Sequence, residues 1–265
     1  MKIGIFDSGL GGLVMARAFH HALPGYDFMY LGDSLRAPYG RRSDEAIYQF
    51  THDAVDYLFE HDCALVVVAC NTASASALRR LQKDYLPHRY PDRRILGVIV
   101  PTLEAVLAGP HRNIGLIGTV FTVNSQIYPE ELKKINPAIK FHAKATPLLV
   151  PLVECNAIQY APPILQDYLQ PLIEQGIDSL ILGCTHYPML RSMIRDILPP
   201  SVDIIGQDEV IPPKLLDYLA RHPEIEAKLS KKDQIKALLT DVTPFYEMIG
   251  NQMFGRALHF DKVTL

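Results

Sequence analysis

At 265 residues the chain is long enough for one large domain or two modest ones, and a chain of that size needs no disulfide or metal staple to fold. Apolar residues make up 48% and charged residues 21%, which excludes a disordered chain. Lys and Arg number 26 against 29 Asp and Glu, a net charge of −3, which excludes a broad basic surface for nucleic acid or a membrane.

Short apolar strands alternate with helix-length amphipathic stretches, the pattern of a parallel sheet covered by helices. Strands are expected at 2–6, 28–31, 64–69 and 95–100, with helices at 12–23, 43–61 and 73–86 between them. In the middle helix Ile47, Phe50, Ala54, Tyr57 and Leu58 share one face. Ser43 is its expected N-cap; Ala46, three residues on, rules out the reciprocal capping box. The order then repeats, with strands at 113–117, 139–143, 179–183 and 202–205 and helices at 123–135, 163–175 and 189–198. Pro162-Pro163 and Pro212-Pro213 each suit the first turn of a helix. Beyond Gly206 only helices are expected, through 258.

Two segments of the first part recur in the second. Lys2-Ile3-Gly4-Ile5-Phe6-Asp7-Ser8 resembles Asn113-Ile114-Gly115-Leu116-Ile117-Gly118-Thr119, and the apolar run ending in Cys70-Asn71-Thr72 resembles the one ending in Cys184-Thr185-His186. The spacing from Asp7 to Cys70 nearly equals that from Gly118 to Cys184. Two similar α/β lobes follow, each with a cysteine at the same place.

Each of these cysteines ends a strand and precedes a helix. Ligands of open α/β sheets bind beyond the carboxyl ends of the strands, and a helix N-terminus favours a thiolate and an anionic ligand. Two thiols on opposite walls suit inversion at a carbon, one removing a proton and the other delivering one from the opposite face. Cys63 and Cys155 lack that context and read as inert. No C-x-x-C pair is present, so neither a disulfide framework nor a zinc ribbon is expected.

The turn Asp7-Ser8-Gly9-Leu10-Gly11-Gly12 also follows a strand, but it fails as a dinucleotide fingerprint because position 14 is Val. Asp7, at a strand end level with Cys70, can polarise a thiol or hold an ammonium. His186 can serve as a hydrogen-bond partner of Cys184, a proton relay, a metal ligand or a helix cap. A Cys70/Cys184/His186 zinc site therefore stays open beside metal-free proton transfer, as does a binding protein with inert cysteines. The longest apolar run, 64–70, is far short of the ~20 residues that span a bilayer. The opening strand meets Asp7 too early for a signal-peptide core, and a cytoplasmic protein is expected.

At four motifs the chain resembles the glutamate branch of the cofactor-independent aspartate/glutamate racemase superfamily. They are Gly4-Ile5-Phe6-Asp7-Ser8-Gly9-Leu10-Gly11-Gly12, Gly32-Asp33-Ser34-Leu35-Arg36-Ala37-Pro38-Tyr39-Gly40, Val68-Ala69-Cys70-Asn71-Thr72-Ala73-Ser74-Ala75 and Gly183-Cys184-Thr185-His186-Tyr187-Pro188. The resemblance implies two pseudo-symmetric Rossmann-like lobes with mainly parallel sheets and the active site between them. The first would comprise 1–97 plus 208–265, completed by the C-terminal helices, and the second 98–207. It implies that Cys70 exchanges a proton with D-glutamate and Cys184 with L-glutamate, assisted by Asp7 and His186. Asp7, Ser8, Tyr39, Gly40, Asn71, Thr72, Thr185 and His186 would bind the substrate, with no cofactor and no metal. Its implied partner is glutamate alone, without nucleic acid or membrane, and a homodimer is admitted; the D-glutamate would feed bacterial peptidoglycan synthesis. A racemase for aspartate or another acidic amino acid is the near alternative.

Two departures stand out. Gly206-Gln207-Asp208-Glu209 replaces the family's D-S-G-type turn, and Cys155 replaces the acidic residue that often follows Val-Glu. The chain as given starts at its first strand, so activation by a peptidoglycan precursor through an N-terminal extension is not expected.

Overall fold

The computed structural model describes residues 1–265. In chain order the first half holds β1 (Lys2–Asp7), α1 (Gly12–Ala22), β2 (Phe28–Gly32), α2 (Asp44–Glu60), β3 (Cys63–Val68), α3 (Asn71–Arg80), α4 (Leu86–Arg89), β4 (Arg94–Gly97) and α5 (Ile99–Leu107). Next come β5 (Asn113–Gly118), α6 (Val120–Asn124), α7 (Ile127–Ile135), β6 (Lys140–Ala145), α8 (Leu149–Glu154), α9 (Ala161–Glu174), β7 (Ser179–Gly183), α10 (Arg191–Ile197) and β8 (Asp203–Gly206). The chain ends with α11 (Gln207–Arg221), α12 (Pro223–Glu226), β9 (Ile235–Leu239), α13 (Pro244–Phe254) and β10 (Phe260–Lys262).

These strands form two sheets, β10-β9-β2-β1-β3-β4 and β6-β5-β7-β8, and every pairing is parallel. The repeated segments are the equivalent strands: β1 lies between β2 and β3 as β5 lies between β6 and β7. Helices cover both faces, which is why β3 can be apolar and buried along its whole length. One apolar cluster of 43 buried residues includes Ile3 and Ile5 of the first sheet and Leu180 and Leu182 of the second, so the lobes share a core. No helix is long and apolar enough to cross a membrane.

The expected N-cap is present: the Ser43 hydroxyl accepts the Ala46 N–H at 3.3 Å, and Asp44 and Glu45 complement the dipole of α2. Several expectations are corrected. The segment after Gly206 is not helical throughout: β9 and β10 extend the first sheet beyond β2. The β9 sequence Ile-Lys-Ala-Leu-Leu is rich in helix formers, and burial against β2 overrides that preference. The strand expected at 95–100 ends at Gly97 because Ile99 already opens α5, with Pro101 in its first turn. Helix 123–135 is two helices, broken where Gln126 takes φ +57°. The 73–86 helix begins earlier, at Asn71, and loosens into a π turn over Leu81–Tyr85. Pro212-Pro213 lies inside α11, which starts at Gln207 directly after the extended Gly206.

Candidate active site

The carboxyl ends of β1, β3, β5 and β7 face a cleft between the lobes. Cys70 and Cys184 both line it, as do Ser8, Tyr39, Gly40, Asn71, Thr72, Thr185 and His186. Asp7 does not: it is fully buried behind the wall, where its carboxylate accepts the Gly9 N–H at 3.1 Å and the Thr185 hydroxyl at 3.2 Å. A residue expected to touch substrate thus ties the first lobe's turn to the second lobe's Thr185. Burial raises the Asp7 pKa, opposed by the nearby His186 and by those hydrogen bonds.

The two thiols sit in different surroundings. Cys70 is the N-cap of α3; its sulfur accepts the Ala73 N–H at 3.5 Å, and its thiol donates to the Ser8 hydroxyl at 3.3 Å. Burial, reinforced by the charge of Asp7, pushes this thiol up to about 12, although the Ser8 and Ala73 bonds pull the other way. The sulfur of Cys184 lies 3.6 Å from Nδ1 of His186, whose Nε2 is 3.0 Å from the Glu154 carboxylate. Burial alone would lower the His186 pKa, but its bonds to Cys184 and Glu154 outweigh that and hold it well above 6.5. An imidazolium there donates at both nitrogens, one to the sulfur and one to the carboxylate.

Tyr39 stands on the far wall, its hydroxyl donating at 2.5 Å to the buried Asp33, which also receives Arg36 at 2.5 Å and Thr240 at 2.8 Å. This cluster fixes the turn that presents Gly40. Across from it, the hydroxyls of Thr72 and Thr119 meet at 2.9 Å, and Thr122 lies 3.0 Å from Thr119. Glu154, Thr119 and Thr146 also line the cleft and were not expected there. Thr119 was within reach of the repeat, being the counterpart of Ser8. Glu154 comes from the six-residue α8, too short to show a period. No group of three or more His, Cys, Asp or Glu side chains is arranged so that it could hold a metal ion.

The glycine-rich turn has a packing role rather than a dinucleotide one. A Cβ on Gly11 would lie 2.4 Å from Nδ1 of His186 and 2.5 Å from the Thr185 hydroxyl, and one on Gly12 would lie 2.3 Å from the Asp7 Cβ. Gly11 lets the first lobe's turn close onto Thr185 and His186 of the second lobe, and Gly12 lets the start of α1 pack against Asp7 of its own lobe.

What this arrangement can do chemically is accept a small polar anion among hydroxyls and amides, with a sulfur from each lobe exposed to it. Known proteins share the fold. The Asp/Glu/Hydantoin racemase family model matches residues 13–208. A glutamate racemase of Trichormus variabilis is 42% identical over 205 residues, 77% of this chain and 68% of that protein. The crystal structure of a glutamate racemase isoform from Bacillus anthracis superposes with a TM-score of 0.90 at 34% identity, covering 100% of this chain and 97% of the other. That of a Francisella tularensis glutamate racemase in complex with D-glutamate gives 0.88 at 28% identity, over 99% and 97%. The chain belongs to the Asp/Glu/hydantoin racemase family and is an amino acid racemase.

Proposed function

We propose that the protein interconverts L- and D-glutamate by two-base proton transfer at Cα, with Cys184 exchanging the proton of L-glutamate and Cys70 that of D-glutamate. The single observation that supports this reading most is that the two repeat-related sulfurs, one from each lobe, open onto one cleft lined by hydroxyls, amides and few charges. The glutamate bound in a relative of 0.88 TM-score supports the choice of substrate.

In the L-to-D direction the Cys184 thiolate takes the Cα proton, the Cα–H electron pair passes onto the α-carboxylate, and the Cys70 thiol delivers its proton to the opposite face. The high pKa of Cys70 suits it to that delivery. In the reverse direction the roles exchange, and the ammonium of bound substrate favours the Cys70 thiolate against the opposing effects of burial and Asp7. His186, charged and bonded to the Cys184 sulfur, steadies the thiolate there. Hydroxyls of Ser8, Thr72 and Thr185, the amide of Asn71 and the backbone at Tyr39-Gly40 hold the carboxylates and ammonium. Their hydrogen bonds strengthen as charge develops on the α-carboxylate. Asp7 acts through Thr185. Residues 1–97 with 208–265 and residues 98–207 are the two units that close on the substrate, and D-glutamate leaves for peptidoglycan synthesis in the cytoplasm of a bacterium.

The test is incubation of the purified protein with L-glutamate in deuterated water, with aspartate run in parallel. Expected is D-glutamate carrying deuterium at Cα while unreacted L-glutamate keeps hydrogen early on, since two bases do not share the proton. Cys70→Ala and Cys184→Ala should each abolish racemisation. Substantial turnover by either variant, or early label in unreacted L-glutamate, overturns the two-base assignment; faster turnover of aspartate overturns the substrate.

A further inference from the structure

Four helices meet behind Cys70 in a buried polar cluster. Asn71 opens α3, Thr102 lies in α5, Tyr128 in α7, and Gln207 opens α11 in the segment where the sequence departs from the family's turn. Asn71 and Gln207 are each only 2% exposed. Their amides pair reciprocally: Nδ2 of Asn71 donates to Oε1 of Gln207 at 2.7 Å, and Nε2 of Gln207 donates to Oδ1 of Asn71 at 2.9 Å. The Tyr128 hydroxyl donates to the same Oδ1 at 2.7 Å, and Nε2 of Gln207 also reaches the oxygens of Tyr128 and Thr102 at 3.2 Å. The Thr102 hydroxyl gives its proton to the Val98 carbonyl at 2.6 Å, so toward Gln207 it accepts.

These roles fix which way the Asn71 amide points. Its Oδ1 is held by two donors, so Nδ2 cannot exchange places with it without setting N–H against N–H. In a reciprocal pair each amide spends one N–H on its partner. The second N–H of Nδ2 is thereby left over, on a residue that lines the cleft one position after Cys70. We propose that Gln207 is a positioning residue that locks the Asn71 amide with its nitrogen, not its oxygen, toward a carboxylate of the substrate. Without Gln207 only the Tyr128 hydroxyl, which can accept as well as donate, meets the Asn71 amide, so the amide can turn and present its oxygen to an anion for part of the time. The inference rests on the glutamate chemistry proposed above.

The experiment is a cycle of Gln207→Met, Asn71→Ala and the double variant, read as the Kd for D-glutamate by titration calorimetry, which requires no turnover. Thermal midpoints check that each variant is folded. Q207M should weaken binding by about tenfold, the scale of one hydrogen bond to a charged group. In the N71A background it should change Kd by less than about twofold, because its effect runs through Asn71. An unchanged Kd in Q207M, or the same loss with and without Asn71, overturns the inference; a purely structural Gln207 would give that equal loss. If Q207M fails to fold, Gln207→Asn, which draws the amide back by one methylene, takes its place in the cycle. Wild-type protein that racemises glutamate yet fails this cycle overturns the inference alone, whereas wild-type protein with no affinity for glutamate overturns both.

Discussion

Glu154 holds Nε2 of His186 at 3.0 Å while Nδ1 of the same ring faces the Cys184 sulfur at 3.6 Å. The carboxylate therefore acts on the thiol through the ring. It fixes the ring's orientation and stabilises its charged form, as an acidic partner does for a working histidine.

Glu154→Gln keeps the shape and an acceptor but removes the charge. His186 then loses the charge of Glu154, one of the influences that raise its pKa. The limb of the pH–rate profile that follows His186 should move to lower pH, and kcat at neutral pH should fall by about tenfold, equivalent to about one pKa unit of lost stabilisation. An unmoved profile would detach Glu154 from the chemistry.

Gly11→Ala tests whether the turn of the first lobe sets the ring from the other side. Gly11 has φ −58° and ψ −32°, a conformation any residue adopts, so the substitution acts only through the space its methyl occupies. That methyl would sit 2.4 Å from Nδ1 of His186 and 2.5 Å from the Thr185 hydroxyl. Overpacking of this kind costs about 1–3 kcal/mol of stability, while a displacement of ~1 Å in a catalytic group can cost 10²-fold in rate. We expect kcat/KM to fall by about a hundredfold in a protein that still unfolds cooperatively. Full activity would mean that the ring's position is immaterial.

The sequence exposes the parts of this site that repeat. The match of Lys2–Asp7 to Asn113–Gly118, and of the two Cys-polar-polar segments, locates β1, β5, β3, β7 and both sulfurs, since equivalent strands in equivalent sheets have equivalent ends. What does not repeat is hidden. Glu154 reaches His186 from a six-residue helix with no partner in the first lobe. Gln207 meets Asn71 across 136 positions of chain, and no local pattern announces that pairing. Asp7 reads as a substrate ligand from its strand-end position, yet the chain turns it beneath Gly9 and Thr185, a matter of tertiary packing. In β9, local preference points to a helix and only the neighbouring β2 makes it a strand.

Thiol labelling separates the four cysteines. Cys155 is exposed, whereas Cys63 is 0%, Cys70 6% and Cys184 8% exposed. Burial also pushes Cys63 and Cys70 each up to about 12, so neither offers much thiolate at neutral pH. Limiting iodoacetamide on the free protein should modify Cys155 first, read by peptide mass spectrometry, and Cys155→Ser should racemise within about twofold of wild type, as expected of a surface change. Labelling of Cys63 at a comparable rate would mean that the first lobe opens far more readily than its packed core implies.

The charge on His186 also makes stability depend on pH, with a sign set by the direction of its shift. Its pKa in the folded protein lies well above 6.5, because the bonds to Cys184 and Glu154 overcome the opposing effect of burial. The folded state therefore holds this proton more tightly than the unfolded chain. The resulting stabilisation is complete below the unfolded value of about 6.5 and drains away as pH rises through the folded pKa. His186→Gln removes this contribution. The gap in urea midpoint between wild type and variant should be widest near pH 6 and narrow as the pH is raised towards 9; a gap that widens with pH would mean that His186 is held neutral, with Cys184 losing its cationic neighbour in the mechanism proposed.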